Sequence, residues 1–247
     1  MGKGWIRPSC SPYGAPIIFI RKKTGELRMT VDYRALNRQT KKDVYPLPRI
    51  DDLLDKLAKA KYLSAIDLAS GYHQIAMAPE DIEKTAFVTR YGLYEYTVLP
   101  LGLCNAPSTF QRLMNEVMQG YIDDFVGVYL DDILVYTDGD AKDHERDLRK
   151  VFDRLRKHKL HAKLKKCDFG KDRVKYLGHV VGSGELSVDE DKVVAVADWE
   201  APTDIKGVQQ FLGFANYYNR FIPKLATVAA PISNLLSGKQ AFVWGPE

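Results

Sequence analysis

Two adjacent aspartates, Asp131 and Asp132, lie within the otherwise apolar stretch VGVYLDDILVY, residues 126–136. The β-branched and aromatic residues on both sides predict two strands, and the simplest geometry is a hairpin whose tight turn carries both acids. Paired carboxylates in such a place lose hydration and repel each other unless a cation or a proton neutralises them. The pair indicates either a divalent-cation site or an exposed turn whose acids are simply solvated.

A third acid, Asp67, ends the apolar run YLSAID at residues 62–67. If this run and the aspartate hairpin are neighbouring strands, three carboxylates converge, and divalent cations with oxygen ligands are their simplest neutralisation. Two such ions, about 3.5 to 4 Å apart, would suit an in-line displacement at phosphorus. The three acids together favour phosphoryl transfer over a solvated turn.

Adjacent aspartates alone carry little information, because the sequence contains two further pairs. Asp51 and Asp52 open an amphipathic helix, where acids interact favourably with the helix dipole. Asp123 and Asp124 lie between a predicted helix and a predicted strand, where a solvated loop explains them. Apolar flanks on both sides distinguish the pair at 131–132.

The totals describe an ordinary soluble globular chain. Its 247 residues are 45% hydrophobic and 28% charged, and they suit one large domain or two small ones. The sequence has no apolar run of 18 residues and no signal-peptide core at its start, so we expect an intracellular protein without a membrane segment. Its three cysteines form no CxxC pair, which argues against disulfides and zinc, and His161 with Cys167 is too sparse for a metal site.

Charge is strongly segregated along the chain. Residues 1–49 carry a net charge of +8, residues 50–140 carry −9, residues 141–175 carry +8, and residues 176–247 carry −3. Basic blocks bind phosphates and release counterions, whereas clustered carboxylates attract divalent cations. The pattern fits a nucleic-acid enzyme, although charge runs can also be solvated faces.

The predicted elements mix strands and helices, which gives an α+β fold class. Strands are predicted at 15–20 and 27–33, joined by a turn at Gly25, and also at 62–68, 86–89 and 94–98. Apolar spacing predicts helices from residue 50, from residue 107, over 141–159, and in several pieces between about 189 and 236.

Eight ordered blocks of the chain resemble the reverse transcriptases of gypsy-type LTR retrotransposons, and YLDD at 129–132 resembles their YxDD motif. The blocks are LRMTVDYRALN (27–37), YPLPRIDDLL (45–54), LSAIDLASGYHQI (63–75), KTAFVTRYGLYEYTVLPLGLCNAPSTFQRLMN (84–115), YLDDILVYT (129–137), KCDFG (166–170), YLGHVV (176–181) and FLGFANYYNRFI (211–222). The resemblance implies a right-hand polymerase fold with fingers (1–41 and 75–105), palm (42–74 and 106–182) and a helical thumb (183–247).

The resemblance assigns the catalytic triad to Asp67, Asp131 and Asp132. Asp67 and Asp131 would hold two Mg²⁺ ions, for which Mn²⁺ can substitute, with the Leu68 carbonyl as a further ligand. Asp132 would support the metal site less directly. A primer 3′-hydroxyl would then attack the α-phosphorus of a dNTP and expel pyrophosphate.

The resemblance also implies residues that bind the dNTP. Lys22 and Arg28 match the cationic pair that holds the triphosphate, with Arg21 and Lys23 as alternatives to Lys22. Backbone N–H groups of Ser70 and Gly71 would meet the β- and γ-phosphates. Tyr72 matches the aromatic gate that excludes a ribose 2′-hydroxyl, although a tyrosine at such a position can also be simple core.

Contacts with the nucleic acid follow from the same resemblance. Tyr129 would touch the primer end, and Leu177 with Gly178 matches the hairpin that holds the primer strand. The helices after Gly184 would contact the minor groove of the template–primer duplex. Leu101 departs from the retroviral pattern, which has glutamine near the incoming nucleotide, so a polar contact is lost there.

These features predict an RNA-directed DNA polymerase that extends a DNA primer on an RNA or DNA template. A domesticated nucleic-acid-binding derivative without activity is the alternative, and an RNA-dependent RNA polymerase is a third reading that Tyr72 and the YxDD form oppose. No RNase H motif follows, so we expect a piece of a Pol polyprotein whose RNase H and integrase parts lie elsewhere. We expect a cytoplasmic location, within virus-like particles; the sequence leaves the oligomeric state open.

Overall fold

The computed structural model of the chain describes residues 2, 4–21, 25–182, 184–237, 242 and 244. The strands are β1 (Ile6–Pro8), β2 (Ile17–Arg21), β3 (Leu27–Val31), β4 (Tyr62–Asp67), β5 (Phe87–Thr89), β6 (Gly92–Tyr96), β7 (Val126–Tyr129), β8 (Asp132–Thr137), β9 (Asp168–Lys171), β10 (Arg173–Tyr176), β11 (His179–Gly182) and β12 (Glu185–Val188). The α-helices are α1 (Arg34–Gln39), α2 (Ile50–Lys56), α3 (Ala106–Val117), α4 (Ala141–Lys157), α5 (Glu190–Ala197), α6 (Ile205–Tyr217), α7 (Leu225–Val228) and α8 (Ala230–Asn234). None of the described helices is both long and apolar enough to cross a membrane.

An antiparallel four-stranded sheet in the order β7-β8-β4-β9 forms the centre of the molecule. The side chains of β4 alternate between the two faces of the sheet, as the two-residue period of a strand requires. Both faces are covered by other elements. Leu63 belongs to the core that packs against α2 and β10, whereas Ile66 belongs to the core that packs against α3 and α4. A strand with two covered faces is a rigid support for the acid at its end.

Helices α3 and α4 cover one face of this sheet. Phe110, Met114 and Val117 of α3 are buried there together with Val151 and Leu155 of α4, as the apolar spacing predicted. Helix α4 begins at Ala141 because the Asp140 side chain accepts hydrogen bonds from the backbone N–H groups of residues 142 and 143. The basic block of the sequence thus lies partly on a helix whose inner face is apolar.

The segments predicted as fingers share one apolar core. Its buried members are Val31, Tyr33, Phe87 and Tyr96. Strand β1 pairs with β6, β5 pairs with β6, and β2 forms a separate hairpin with β3. Gly25 has φ +83°, which suits the turn expected there.

Another sheet, β10-β11-β12, precedes the C-terminal helices. Strand β12 pairs with β11 along residues 185–188, so a strand lies between Gly184 and the helices that the sequence placed directly after it. The predicted boundary between palm and thumb at residue 183 runs through this sheet, between β11 and β12. It stays a prediction.

The two other aspartate pairs have the structural roles expected of them. Asp51 and Asp52 lie in the first turn of α2. Asp123 lies in the connection between α3 and β7, with φ +72°, and pairs with Lys56 of α2. Both pairs lie outside the hairpin at 131–132.

Candidate active site

The three predicted catalytic acids lie at the same end of the central sheet. Asp67 is the last residue of β4 and Asp132 is the first residue of β8, and the two are direct antiparallel partners. Asp131 occupies the connection from β7 to β8, next to Asp132. Strand register therefore brings together carboxylates that are more than sixty positions apart in the sequence.

The expectation that both acids occupy the turn is wrong for Asp132. Tyr129 pairs with Asp132, so the turn consists of Leu130 and Asp131 alone. Leu130 has φ +54°, the left-handed conformation that lets two residues join antiparallel strands. Asp132 is consequently part of the ladder, and its backbone is fixed by the sheet rather than by the turn.

Gln111 of α3 forms a hydrogen bond to this turn, a contact that the sequence did not predict. Its side chain is fully buried, and its Oε1 accepts the backbone N–H of Leu130 at 2.8 Å. Its Nε2 donates to Asn115 Oδ1 at 2.9 Å and lies 3.4 Å from the Val128 carbonyl oxygen. A left-handed non-glycine residue persists only where its surroundings determine it, and Gln111 supplies that constraint.

Lys166, also missed, supplies a positive charge to the acids. Its Nζ donates to Asp67 Oδ2 at 2.7 Å. The hydrogen bond to Asp67 raises the pKa of Lys166, and the charges of Asp131 and Asp132 add to the effect. The contact joins residues 99 positions apart, so only the KCDFG block hinted that this segment belongs to the site.

The segment that carries Lys166 is fastened along the end of β4. The Lys163 N–H donates to the Asp67 carbonyl and the Ala69 N–H donates to the His161 carbonyl, each at 2.8 Å. Gln74 adds a bridge, because its Nε2 donates to the Ala69 and His161 carbonyls while its Oε1 accepts the His161 N–H. These bonds fix Lys166 beside the first catalytic acid.

The carboxyl group of Asp132 has a raised pKa. Loss of hydration and the charges of Asp131 and Asp67 together raise its pKa to about 6, against the opposing effect of Lys166. Asp132 is exposed to solvent. Because water reaches the residue, repulsion by the neighbouring carboxylates is the cause of the raised pKa that the geometry supports best. The carboxylates of Asp131 and Asp67 therefore repel that of Asp132 at this end of the sheet.

The donor set suits a hard divalent cation that is completed by other ligands. Carboxylate and carbonyl oxygens are the ligands that Mg²⁺ prefers, commonly with only one or two carboxylates from the protein. In the described part of the chain, no three His, Cys, Asp or Glu side chains form a ready-made metal cage. An ion held by one or two of these carboxylates would need substrate phosphates or water as its further ligands.

The turn after Asp67 approaches the acids closely. Ser70 has φ +53°, and it precedes Gly71, where an added Cβ would lie 3.2 Å from Asp131 Cβ and 3.0 Å from the Phe110 ring. A side chain at Gly71 would therefore push this turn away from Asp131. Tyr72 packs on Phe110, with ring centroids 5.0 Å apart.

Tyr72 also interacts electrostatically with Asp131. Burial raises the pKa of Tyr72, and the charge of Asp131 adds to the effect. Leu68 is buried and bridges to Ala162, so its backbone is fixed next to Asp67. These positions agree with the neighbourhood that the resemblance implied, while their roles stay predictions.

Other predicted residues lie on separate elements. Arg28 lies on β3 of the exposed hairpin, opposite Ile20, and Lys22 lies outside the described residues. Leu101 lies in the loop between β6 and α3. Nothing in the described contacts joins Arg28 or Leu101 to the acids.

Leu177 and Gly178 form the two-residue turn between β10 and β11, as expected. Both have left-handed backbone conformations, with φ +49° and +76°. This is the pattern of a type I′ turn, which matches the twist of the strands it joins. Tyr129 lies at the end of β7, beside the aspartate turn.

The fold and the three acids at the end of its central sheet are those expected of a polymerase, and a known protein family matches the chain. The family model described as reverse transcriptase (RNA-dependent DNA polymerase) matches residues 20–181. The match covers more than half of the chain, so the chain belongs to the reverse transcriptase family. Membership implies a general dependence on a divalent metal.

The relatives are more particular. The chain is 40% identical over 241 residues to the retrovirus-related Pol polyprotein from transposon 297, 42% over 245 residues to that from transposon opus, and 38% over 246 residues to that from transposon gypsy, all of Drosophila melanogaster. These matches cover 96 to 97% of the chain but only 23 to 24% of each relative. The predicted kinship with gypsy-type LTR retrotransposons is confirmed.

Solved structures agree as well. The foamy viral protease-reverse transcriptase in complex with double-stranded DNA aligns with a TM-score of 0.90 and 25% identity, over 99% of this chain and 43% of that one. The same viral enzyme in complex with an RNA/DNA hybrid aligns with a TM-score of 0.86 and 25% identity, over 98% of this chain and 33% of that one. The right-hand polymerase fold is confirmed.

Proposed function

We propose that this chain catalyses RNA-directed DNA synthesis by extending a primer 3′-hydroxyl with dNTPs on an RNA or DNA template. The observation that carries the proposal is the pairing of Asp67 with Asp132, which places two acids beside Asp131 at one end of the sheet. Family membership supplies the reaction class, a nucleotidyl transfer. The chain spans about a quarter of its relatives, so the activity of the isolated chain is part of the proposal.

Two Mg²⁺ ions, or Mn²⁺ in their place, would be held by the carboxylates of Asp67 and Asp131 and by the Leu68 carbonyl. When bound, such ions lower the pKa of an attacking hydroxyl and stabilise the developing charge on a leaving phosphate. Asp132 supports the site through its charge and through its place in the ladder opposite Asp67. Lys166 neutralises part of the carboxylate charge through Asp67.

The dNTP is proposed to lie over the turn that follows Asp67. Backbone N–H groups at Ser70 and Gly71 would meet the phosphates, because the left-handed Ser70 begins a tight turn there. Tyr72 would exclude a 2′-hydroxyl. Lys22 and Arg28 would hold the triphosphate from the β2-β3 hairpin.

The nucleic acid is proposed to be an RNA template paired with a DNA primer, or duplex DNA. The two related viral structures hold double-stranded DNA and an RNA/DNA hybrid, which supports this choice. Tyr129 would contact the primer end, and the turn at Leu177 and Gly178 would hold the primer strand. Leu101 would replace a polar contact near the incoming nucleotide with an apolar one.

A polyprotein context is proposed from the names of the relatives, which are Pol polyproteins. RNase H and integrase parts are expected elsewhere in such a parent chain. Virus-like particles in the cytoplasm would be the place of action.

Extension of oligo(dT) on poly(rA) with dTTP and Mg²⁺ tests the proposal. Wild type should give product and Asp131→Asn should give almost none, with the exposed Asp138→Asn as a matched control that should extend normally. Binding of template–primer without extension by wild type would instead favour an inactive nucleic-acid-binding derivative. Preference for UTP over dTTP would favour an RNA polymerase.

A further inference from the structure

The turn at Leu177 and Gly178 is held by the end of helix α6. Tyr217 Oη donates to the Leu177 carbonyl at 2.7 Å, and Tyr218 Oη lies 3.3 Å from the Gly178 carbonyl. His179 Nδ1 lies 2.9 Å from the same Leu177 carbonyl. Two donors therefore meet one carbonyl, and a third meets the next.

An aromatic cluster around His179 accompanies this contact. The His179 ring is 5.5 Å from the Tyr217 ring, 5.3 Å from the Tyr218 ring and 5.6 Å from the Phe221 ring, measured between centroids. His179 and Tyr218 are buried, with exposures of 3% and 5%. Tyr217 is 44% exposed, so its ring packs on the outer side of the cluster while its hydroxyl keeps its partner.

The backbone of the turn requires such support. Leu177 has φ +49°, which costs a non-glycine residue energy unless its surroundings hold it. At Gly178 an added Cβ would lie 2.8 Å from Tyr218 Oη, so this turn and α6 are fitted closely. The aspartate turn is built alike, with left-handed Leu130 held by Gln111.

We propose that Tyr217 and Tyr218 are positioning residues that set the Leu177–Gly178 turn from helix α6, and through it the place of the primer end. The inference rests on the proposed function, because the primer role of the turn is part of it. Helix α6 lies in the predicted thumb, so a movement of that helix would be passed to the turn through two hydroxyl groups. The FANYYNRFI part of the sequence thus acquires a role that its motif alone did not give.

Conservative variants test this inference. Tyr217→Phe and Tyr218→Phe keep the rings and remove only the hydroxyl groups. Tyr121→Phe is the matched control, because Tyr121 packs on Phe125 in a different core and contacts neither residue of the turn. Single-turnover dTTP incorporation, the Kd for template–primer and thermal unfolding are measured for all four proteins.

Loss of one hydrogen bond to the turn should slow incorporation by Tyr217→Phe about fivefold. Tyr218→Phe should show a smaller effect, because its bond is longer. The Kd for template–primer and the unfolding midpoint should stay close to those of the control. A merely structural role would instead lower the unfolding midpoint. Hydrogen exchange of the peptide that covers residues 173–182 should be faster in Tyr217→Phe.

Two outcomes would overturn the inference while wild type extends primers. One is incorporation by Tyr217→Phe within twofold of Tyr121→Phe. The other is a rate loss that only follows a lower unfolding midpoint. Failure of wild type to extend any primer would contradict the proposed function itself, and the inference would fall with it.

Discussion

Lys166 Nζ lies 2.7 Å from Asp67 Oδ2, at the end of β4 where the predicted catalytic acids meet. The ammonium group interacts electrostatically with Asp131 and Asp132 as well, so its charge reduces the repulsion among the three acids. Its segment is fixed there by backbone hydrogen bonds and by Gln74. Lys166 is therefore a counter-ion of the acid cluster, and a divalent ion at Asp67 would have to compete with it.

Lys166→Gln should strengthen the binding of Mn²⁺ alone. The pair is partly exposed, with side chains 56% and 23% accessible, so its worth is at most about 1 kcal/mol and the expected gain is about fivefold. Electron paramagnetic resonance of free Mn²⁺ measures this without any substrate. Lys165→Gln removes the same charge one position away and should leave the affinity nearly unchanged; equal effects of both variants would contradict the account.

Asp132→Asn should change how stability depends on pH. The raised pKa of about 6 means that folded Asp132 takes up a proton at a higher pH than the unfolded chain does, whose value lies near 3.8. Its contribution to stability is present below about pH 4 and is lost as the pH rises through about 6. Between pH 4 and pH 7 in metal-free buffer, the free energy of unfolding should therefore decrease less in Asp132→Asn than in wild type, as measured by urea unfolding. An equal decrease in the free energy of unfolding in both proteins would be incompatible with the raised pKa.

Gln111→Leu should loosen the aspartate turn. The substitution leaves the Leu130 N–H without its acceptor and should lower the free energy of unfolding by about 1 to 3 kcal/mol. Primer extension should fall as well, because the turn carries Asp131. Gln119→Leu, at an exposed position after α3, is the control. Chemical denaturation that ranks the two variants equally would show that the buried contact is unimportant.

Tyr176→Phe should be neutral or stabilising, in contrast to Tyr33→Phe. The Tyr176 hydroxyl is buried without a hydrogen-bond partner among the described residues, whereas the Tyr33 hydroxyl donates to the Thr85 carbonyl at 2.8 Å. Removing an unpartnered group costs little, but removing a partnered one leaves the carbonyl unsatisfied at a cost of about 1 to 3 kcal/mol. Unfolding midpoints of the two variants measure the difference, and a reversed order would refute it.

Much of the fold was accessible from the sequence because its signals are local. The spacing of Phe110, Met114 and Val117 predicted α3, and the apolar run before Asp67 predicted β4. The triad itself needed the resemblance in addition, since apolar flanks mark a strand but do not say which strands pair.

The remainder depends on contacts that no local pattern carries. Lys166 meets Asp67 across 99 positions, and Gln111 looks like a polar interruption of an apolar helix face until the turn above it is known. The placement of Asp132 in the strand follows from the left-handed Leu130, a conformation that leucine rarely adopts and that a sequence does not reveal.

The central claim is that Asp67 acts on the reacting phosphate together with Asp131 and Asp132. Single-turnover incorporation of dTTP on primed poly(rA) by wild type and Asp67→Asn tests it most directly, with the Kd for template–primer measured in parallel. Metal-assisted displacement contributes several kcal/mol, so the variant should incorporate about a thousandfold more slowly while it binds template–primer as wild type does. Incorporation by Asp67→Asn within about tenfold of wild type would contradict the account.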